Sequence, residues 1–309
     1  MLLENKQSEN QLVQFSEIKR TDISLFIKRE DLLHPTISGN KYRKLRYNLE
    51  VAKELNYKTL LTFGGAYSNH IVAVAAAGKE FGFKTIGIIR GDEMGFDIEN
   101  TLLSNPTLRT ASILNMQLEF ISRKKYKEKE SNHFIQYLKE KFGEFYMIPE
   151  GGTNELAVKG VSEILVKEDE KFDYLSVSMG TGGTISGLVK SSYNHQKVLG
   201  FSSLKADFFD EIILQYTPKK NFDIFNNYHF GKYGKVSEEL IIFINKFKKE
   251  TSIPLDPVYT GKMLFGIVDL INQNYFEKNA KILAIHTGGL QGIEGMNSVL
   301  LKKNLPLII

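Results

Sequence analysis

The chain contains no cysteine. That excludes disulfides, cysteine nucleophiles and thiolate metal sites, and it suits a protein with no need of an oxidising compartment. No apolar run approaches the roughly eighteen residues that would span a bilayer. The opening Met1-Leu2-Leu3-Glu4-Asn5-Lys6 lacks a charged-then-apolar signal pattern, so the expected location is the cytoplasm. Internal repeats, low-complexity tracts and coiled-coil heptads are missing as well. The histidines have no metal-ligand spacing: His34, His133, His195 and His229 read as structural or surface residues, as do the rings of His70 and His286, and no metal is expected. Concentrated positive charge is also lacking. The net charge is +4, and the densest basic run, Arg123-Lys124-Lys125-Tyr126-Lys127-Glu128-Lys129-Glu130, alternates with acids like a solvated helix face. This argues against nucleic acid and leaves small anionic ligands open.

What remains is an ordinary globular composition, 42% hydrophobic and 25% charged over 309 residues, enough for one large domain or two medium ones. Apolar strand-like runs alternate with helical patterns. Thr59–Phe63, Lys84–Arg90 and Gln117–Ile121 read as buried strands. The small-residue segment Ile71–Gly78 and a long polar stretch from about Arg123 to Lys141 read as helices. This rhythm predicts a parallel sheet covered on both faces. Phe145–Gly152 reads as a return connection with a tight turn. A second series then begins: a helix over Asn154–Lys167, strands at Tyr174–Met179 and Val198–Phe201, helices near Phe208–Tyr216, Val236–Lys249 and Gly261–Asn274, and a last strand at Lys281–His286. Thr217–Gly234 shows little order. The simplest arrangement is two α/β units with a ligand cleft between them.

Three stretches carry chemistry. Ser38-Gly39-Asn40 can turn the chain out of a strand and open an amphipathic helix, placing Lys41 in its first turn. There the helix dipole and neighbouring Arg43 and Lys44 disfavour the ammonium form, as Schiff-base chemistry requires. A lysine at such a place is commonly a solvated surface charge, so the downstream segments decide. Gly180-Thr181-Gly182-Gly183-Thr184 joins a strand to a helix, and its converging amides with the helix N-terminus make an anion site. It matches neither the dinucleotide fingerprint nor the Walker loop. Ser68-Asn69-His70 opens another helix after Gly64-Gly65. Its amides can take a carboxylate, Asn69 can donate to a phenolic or carboxylate oxygen, and Ser68 can relay a proton, although Ser and Asn also suit an ordinary helix cap. Tyr259-Thr260-Gly261-Lys262 and His286-Thr287-Gly288-Gly289 sit where elements give way to loops.

Taken together, Ile27–Leu32, Gly39–Leu45, Ser68–His70, Asn105–Thr107, Glu150–Gly152, the glycine cradle, Asp256–Lys262 and His286–Gly289 resemble the pyridoxal-phosphate enzymes of fold type II. Within that fold the order and spacing are similar to the aminocyclopropanecarboxylate deaminase and D-cysteine desulfhydrase group. The resemblance implies two open, twisted, mainly parallel sheets covered by helices, like the β subunit of tryptophan synthase, with the active site between domains. It implies a discontinuous large domain, 1–44 and 145–309, a small domain, 45–144, and a homodimer. The cofactor is then pyridoxal 5'-phosphate, with Lys41 forming the Schiff base and Gly180, Thr181, Gly182, Gly183 and Thr184 holding the phosphate. Asn69 would meet the ring hydroxyl, and Ser68, Asn69 and His70 the substrate carboxylate. Tyr259 and a second tyrosine, Tyr233, belong to the active site, with Thr260 and Thr287 near the ring.

One position bears on the reaction. In the deaminases the residue after the tyrosine matching Tyr259 is a glutamate facing the pyridine nitrogen, where this chain has Thr260, with Thr287 in the later loop. A hydroxyl gives a weaker electron sink than a carboxyl group. Opening the cyclopropane ring, whose α-carbon bears no hydrogen, demands the stronger sink, whereas α-proton removal with loss of a β-thiolate demands less. The expectation is therefore α,β-elimination from D-cysteine to pyruvate, ammonia and sulfide. Deamination of 1-aminocyclopropane-1-carboxylate and elimination from D-serine are alternatives, and a non-catalytic anion-binding α/β protein is the alternative of another class.

Overall fold

The computed structural model describes residues 2–205, 208–231 and 233–309. Two sheets organise the chain. The six-stranded sheet runs β1-β2-β10-β7-β8-β9, built from β1 (Asn10–Leu12), β2 (Ser24–Lys28), β7 (Tyr174–Met179), β8 (Lys197–Ser202), β9 (Phe222–Phe225) and β10 (Lys281–Ile285). Only the β1–β2 pair is antiparallel, and the remaining neighbours are parallel. The four-stranded sheet, β5-β4-β3-β6, is parallel throughout and comprises β3 (Thr59–Gly64), β4 (Lys84–Arg90), β5 (Met116–Ile121) and β6 (Tyr146–Ile148).

The central strands of both sheets are buried on both faces, which is why β3, β4, β7 and β10 read as apolar runs and do not alternate. In the smaller sheet Leu60 and Ile89 join a core with α1 (Asn40–Glu54), α2 (Asn69–Phe81) and α4 (Pro106–Ile113), the last following the short α3 (Ile98–Ser104). Their neighbours Leu61 and Ile88 point the other way, toward α5 (Arg123–Tyr126) and α6 (Asn132–Phe142). In the larger sheet Ile282 and Ala284 pack with α10 (Glu238–Thr251), α11 (Thr260–Asn272) and Leu300 of α12 (Gly292–Lys302). Leu283 and Ile285 face α7 (Glu155–Val161), α8 (Gly183–Ser191) and α9 (Phe209–Tyr216).

Four local expectations change. The polar stretch 123–141 is two helices, because Ser122 and Ser131 each cap a separate start, accepting from Lys125 N at 3.2 Å and Phe134 N at 3.3 Å. The helix expected to reach Lys167 ends at Val161, where the Ser162 hydroxyl turns back to the Val158 carbonyl at 2.9 Å. The return connection contains β6, which pairs with β3 and so lies in the four-stranded sheet, just beyond residue 145. Thr217–Gly234 contains β9, which extends the large sheet beside β8.

The loops that follow β3, β4, β7 and β10 emerge from the carboxyl ends of parallel strands, where open α/β sheets bind ligands. Helix α1 packs against α7, so that a Cβ on Gly160 would lie 2.1 Å from the Arg43 carbonyl oxygen. Its polar face is buried along with its apolar one. Arg43 grips Glu30 through Nε and Nη2, both at 2.8 Å, and Arg46 pairs with Glu163.

Candidate active site

The strand-end loops enclose a cavity of about 590 Å3. Lys41, Ser68, Asn69, His70, Gly180, Thr181, Gly182, Thr184, Tyr233, Tyr259 and Thr287 all line it. Residues separated by more than two hundred positions are thus brought to one cavity. Gly183 and Thr260, expected with them, do not line the cavity. Gly183 backs the cradle against Thr153, where a Cβ would stand 2.7 Å from Thr153 Oγ1, and Thr260 is buried behind the wall.

Lys41 reaches the cradle through its neighbour. Its amine donates to Asn40 Oδ1 at 3.0 Å, and Asn40 Nδ2 donates to Thr184 Oγ1 at 2.8 Å. The turn that allows this depends on Gly39. Its φ is +62°, and a Cβ there would fall 2.0 Å from the Thr287 carbonyl oxygen, so only glycine lets α1 start against the Thr287 loop. Burial lowers the Lys41 pKa to about 8, against a smaller pull upward from the Asp256 carboxylate.

The cradle itself bends at Gly182, whose φ of +83° opens α8. Thr181 Oγ1 lies 2.7 Å from Thr153 Oγ1, which in turn accepts from the Lys44 amine at 3.2 Å. Lys44 also donates to the Gly151 carbonyl at 2.9 Å. Its burial, with the charge of Lys41 adding to it, holds its pKa well below the usual lysine range. One turn apart on α1, Lys41 and Lys44 face the same cavity. The first-turn amides of α8, two threonine hydroxyls and a buried amine form a donor set that fits a phosphate dianion. The residues present would suit pyridoxal phosphate at both ends, with donors fit for a phosphate and, linked to them by Asn40, an amine fit for an aldehyde.

On the facing wall Ser68 caps α2, its hydroxyl accepting from Ile71 N at 3.4 Å, while still lining the cavity. The ordinary cap is present, and the residue lines the cavity as well. Asn69 packs against the Gly288-Gly289 turn, where a Cβ on Gly289 would meet its Nδ2 at 2.9 Å. Thr62 donates its hydroxyl proton to the Ile148 carbonyl at 2.8 Å, so His70 Nε2, 2.8 Å from that hydroxyl, must carry a hydrogen and donate. His70 Nδ1 is buried and unpaired. Burial, with the amines of Lys41 and Lys44, keeps this imidazole neutral by holding its pKa well below the usual value.

The Tyr259 hydroxyl lies 3.0 Å from that of Tyr233, and its ring edge stands against Gly180, 3.2 Å from where a Cβ would be. Desolvation around the hydroxyls raises both phenols, Tyr259 well above the usual value, although Tyr233 as a whole is 45% exposed, and both stay protonated near neutral pH. Ser178 and Thr287 hydroxyls sit 3.2 Å apart on the wall beside the cradle. Behind it, Asp256 accepts from the amides of Val258 at 2.9 Å, Tyr259 at 2.8 Å and Thr260 at 2.8 Å, and from the Thr260 hydroxyl at 2.6 Å. Sequence reasoning gave no site role to Asp256, Lys44, Ser178, Arg90 or Glu150, although Asp256 and Glu150 fall within the motifs that carry the resemblance. An Asp preceding a helix start was a legible capping signal for the first.

A profile described as pyridoxal-phosphate dependent enzyme matches residues 4–288. The chain belongs to this family. Among family relatives, the bifunctional D-cysteine desulfhydrase/1-aminocyclopropane-1-carboxylate deaminase of Arabidopsis thaliana is 32% identical over 294 residues, covering 87% of this chain and 73% of the relative. A D-cysteine desulfhydrase of Klebsiella pneumoniae is 27% identical, covering 86% of each chain. A crystal structure described as that of an ACC deaminase homologue superposes with a TM-score of 0.77 at 29% identity, covering 98% of this chain and 95% of the other. This pyridoxal-phosphate dependent enzyme thus shares its fold with the group its motifs resemble. No helix among the described residues is long and apolar enough to cross a membrane.

Proposed function

We propose that the protein is a lyase that eliminates the β-substituent of D-cysteine, giving pyruvate, ammonia and sulfide with uptake of one water. Bound pyridoxal phosphate supplies an aldehyde that captures the substrate amine and a ring that takes up the electrons of the broken Cα–H bond. The residues divide the remaining work. Lys41 provides the amine for attachment and, once displaced, the base that accepts the α-proton at Nζ. A pKa of about 8 suits both tasks near neutral pH. The amides at the start of α2 and the Ser68 hydroxyl bind the carboxylate, and Asn69 orients the ring. Tyr259 and Tyr233, both protonated near neutral pH, act as a donor pair that protonates the departing sulfur, not as bases.

The observation that carries this reading over its neighbour is the set of hydroxyls beside the cradle. Ser178 and Thr287 face the cavity, and the Thr260 hydroxyl is committed to Asp256 at 2.6 Å. None is the carboxyl group that follows the tyrosine in the deaminases. The names of the relatives favour a second reading, ring opening of 1-aminocyclopropane-1-carboxylate to 2-oxobutyrate and ammonia. Assay of D-cysteine, L-cysteine, D-serine and 1-aminocyclopropane-1-carboxylate, with identification of the keto acid, separates the two. Pyruvate from D-cysteine is expected. 2-Oxobutyrate as the main product establishes the second reading, and protein that stays colourless with added cofactor establishes a non-catalytic binder.

We further propose a cytoplasmic homodimer, with the large domain 1–44 and 145–309 and the small domain 45–144. The lack of cysteine supports the location. Exposed Phe96, 85% accessible, and Leu103 and Ile113 around α3 and α4 support a second copy on that face. Light scattering giving the monomer mass at working concentration overturns the dimer.

A further inference from the structure

Arg90, at the end of β4, lines the cavity and has no part in the account above. Its Nη2 would stand 3.5 Å from a Cβ on Gly65, which places the guanidinium at the near end of the loop whose far end is Ser68-Asn69. It lies over the Tyr126 ring, 5.6 Å from the centroid. Tyr126 is buried, so its ring is a fixed platform beneath the cation. Among the described residues the Arg90 guanidinium donates no hydrogen bond and has no carboxylate within ion-pair distance. Glu150 lines the same cavity, where its carboxylate stands 3.5 Å from the Lys129 amine and acts on the Tyr126 hydroxyl; that lysine also lies 5.4 Å from the Tyr126 ring. The cavity wall therefore presents an oriented guanidinium with no carboxylate in direct contact, the group best suited to bidentate recognition of an oxyanion.

We propose that Arg90 is a specificity-determining residue that extends the β-elimination beyond cysteine to amino acids whose β-carbon carries an anionic leaving group, a sulfonate, sulfate or phosphate. This rests on the amino-acid lyase reading. With the α-carboxylate on the amides at Ser68-Asn69, a β-substituent lies only a few bonds away, so the loop and the guanidinium can hold the two ends of one small molecule. For serine O-sulfate the α-proton passes to the base and the C–H electron pair forms the Cα–Cβ double bond. The Cβ–O bond breaks with its pair going to sulfate. Water then hydrolyses the imine tautomer of the released enamine to pyruvate and ammonia, so that no oxidant is needed.

Aspartate and asparagine have nearly the same shape, lack a leaving group and differ in charge on the β-carbon. Titration calorimetry on the cofactor-loaded enzyme, with both enantiomers, is expected to show aspartate binding about tenfold tighter or better. Arg90→Gln should abolish that ratio while leaving asparagine affinity and visible absorption within about twofold, and Arg90→Lys should restore part of it. Equal affinities in the wild type overturn the proposal whatever the variants do. So does an unchanged ratio in Arg90→Gln, or an equal loss for both ligands, which would place the guanidinium on the α-carboxylate. Turnover of serine O-sulfate and neutral β-chloroalanine separates the two layers. Aspartate preference without turnover of either overturns the lyase reading alone, and turnover of β-chloroalanine without aspartate preference overturns the role of Arg90 alone.

Discussion

The protonation of Lys41 makes a quantitative prediction about how the cofactor-free protein captures pyridoxal phosphate. Burial brings its pKa from 10.5 to about 8. At pH 7 an amine of that pKa is about 9% neutral, against about 0.03% for an ordinary lysine, a gain of about three hundredfold in the reactive form. The rate at which visible absorption develops on mixing should rise by about tenfold per pH unit up to pH 7, and level off above about 8. Asp256 supplies the opposing pull, so Asp256→Asn should move the midpoint to lower pH and speed capture at pH 7. The comparison between the two proteins removes the cofactor's own titration. The same shift has a thermodynamic face. The unfolded chain holds this proton more tightly between about 8 and 10.5, so the contribution of Lys41 to the stability of the cofactor-free fold rises with pH across that window. A wild-type midpoint near that of a free lysine, or an upward move in Asp256→Asn, would refute the reasoning.

Three substitutions probe the supports of the site. Gly39→Ala puts a Cβ 2.0 Å from the Thr287 carbonyl oxygen at a φ of +62°, and should lower the thermal midpoint and prevent cofactor capture even if some fold remains. Lys44→Met removes the buried amine beside Thr153 and Thr181, and should weaken retention of pyridoxal phosphate in dialysis while sparing that of pyridoxal, which lacks the phosphate. Arg43→Met leaves Glu30 buried without its partner and should cost about 3–5 kcal/mol in denaturant unfolding, as breaking a buried pair does.

Much of this architecture was legible because parallel strands buried on both faces read as apolar runs, and because Gly-rich loops between strand and helix leave a compositional mark. The cradle at Gly180–Thr184 and the helix start at Lys41 were readable for that reason. The edge strands β6 and β9 were not, being short and set among turn-forming residues, so that only pairing with β3 and β8 defines them. Lys44 and Arg43 look like solvated charges in a basic helix. Their burial depends on Gly151, Thr153 and Glu30, and nothing in the local pattern announces those partners. Arg90 closes an apolar strand and resembles a solvent-facing terminus until Tyr126 and Gly65 are seen beside it. Thr260 shows the opposite limit. Its place after Tyr259 suggested contact with the ring, but Asp256, four residues earlier, draws the hydroxyl away from the cavity.

Borohydride reduction of the cofactor-loaded protein followed by peptide mass spectrometry tests the central claim most directly, because it records which nitrogen meets the aldehyde. Three lysines with lowered pKa values, Lys41, Lys44 and Lys262, compete on chemical grounds. The link through Asn40 to Thr184 predicts stable phosphopyridoxyl label on Lys41 alone. Label on Lys44 or Lys262 with Lys41 unmodified would contradict the account.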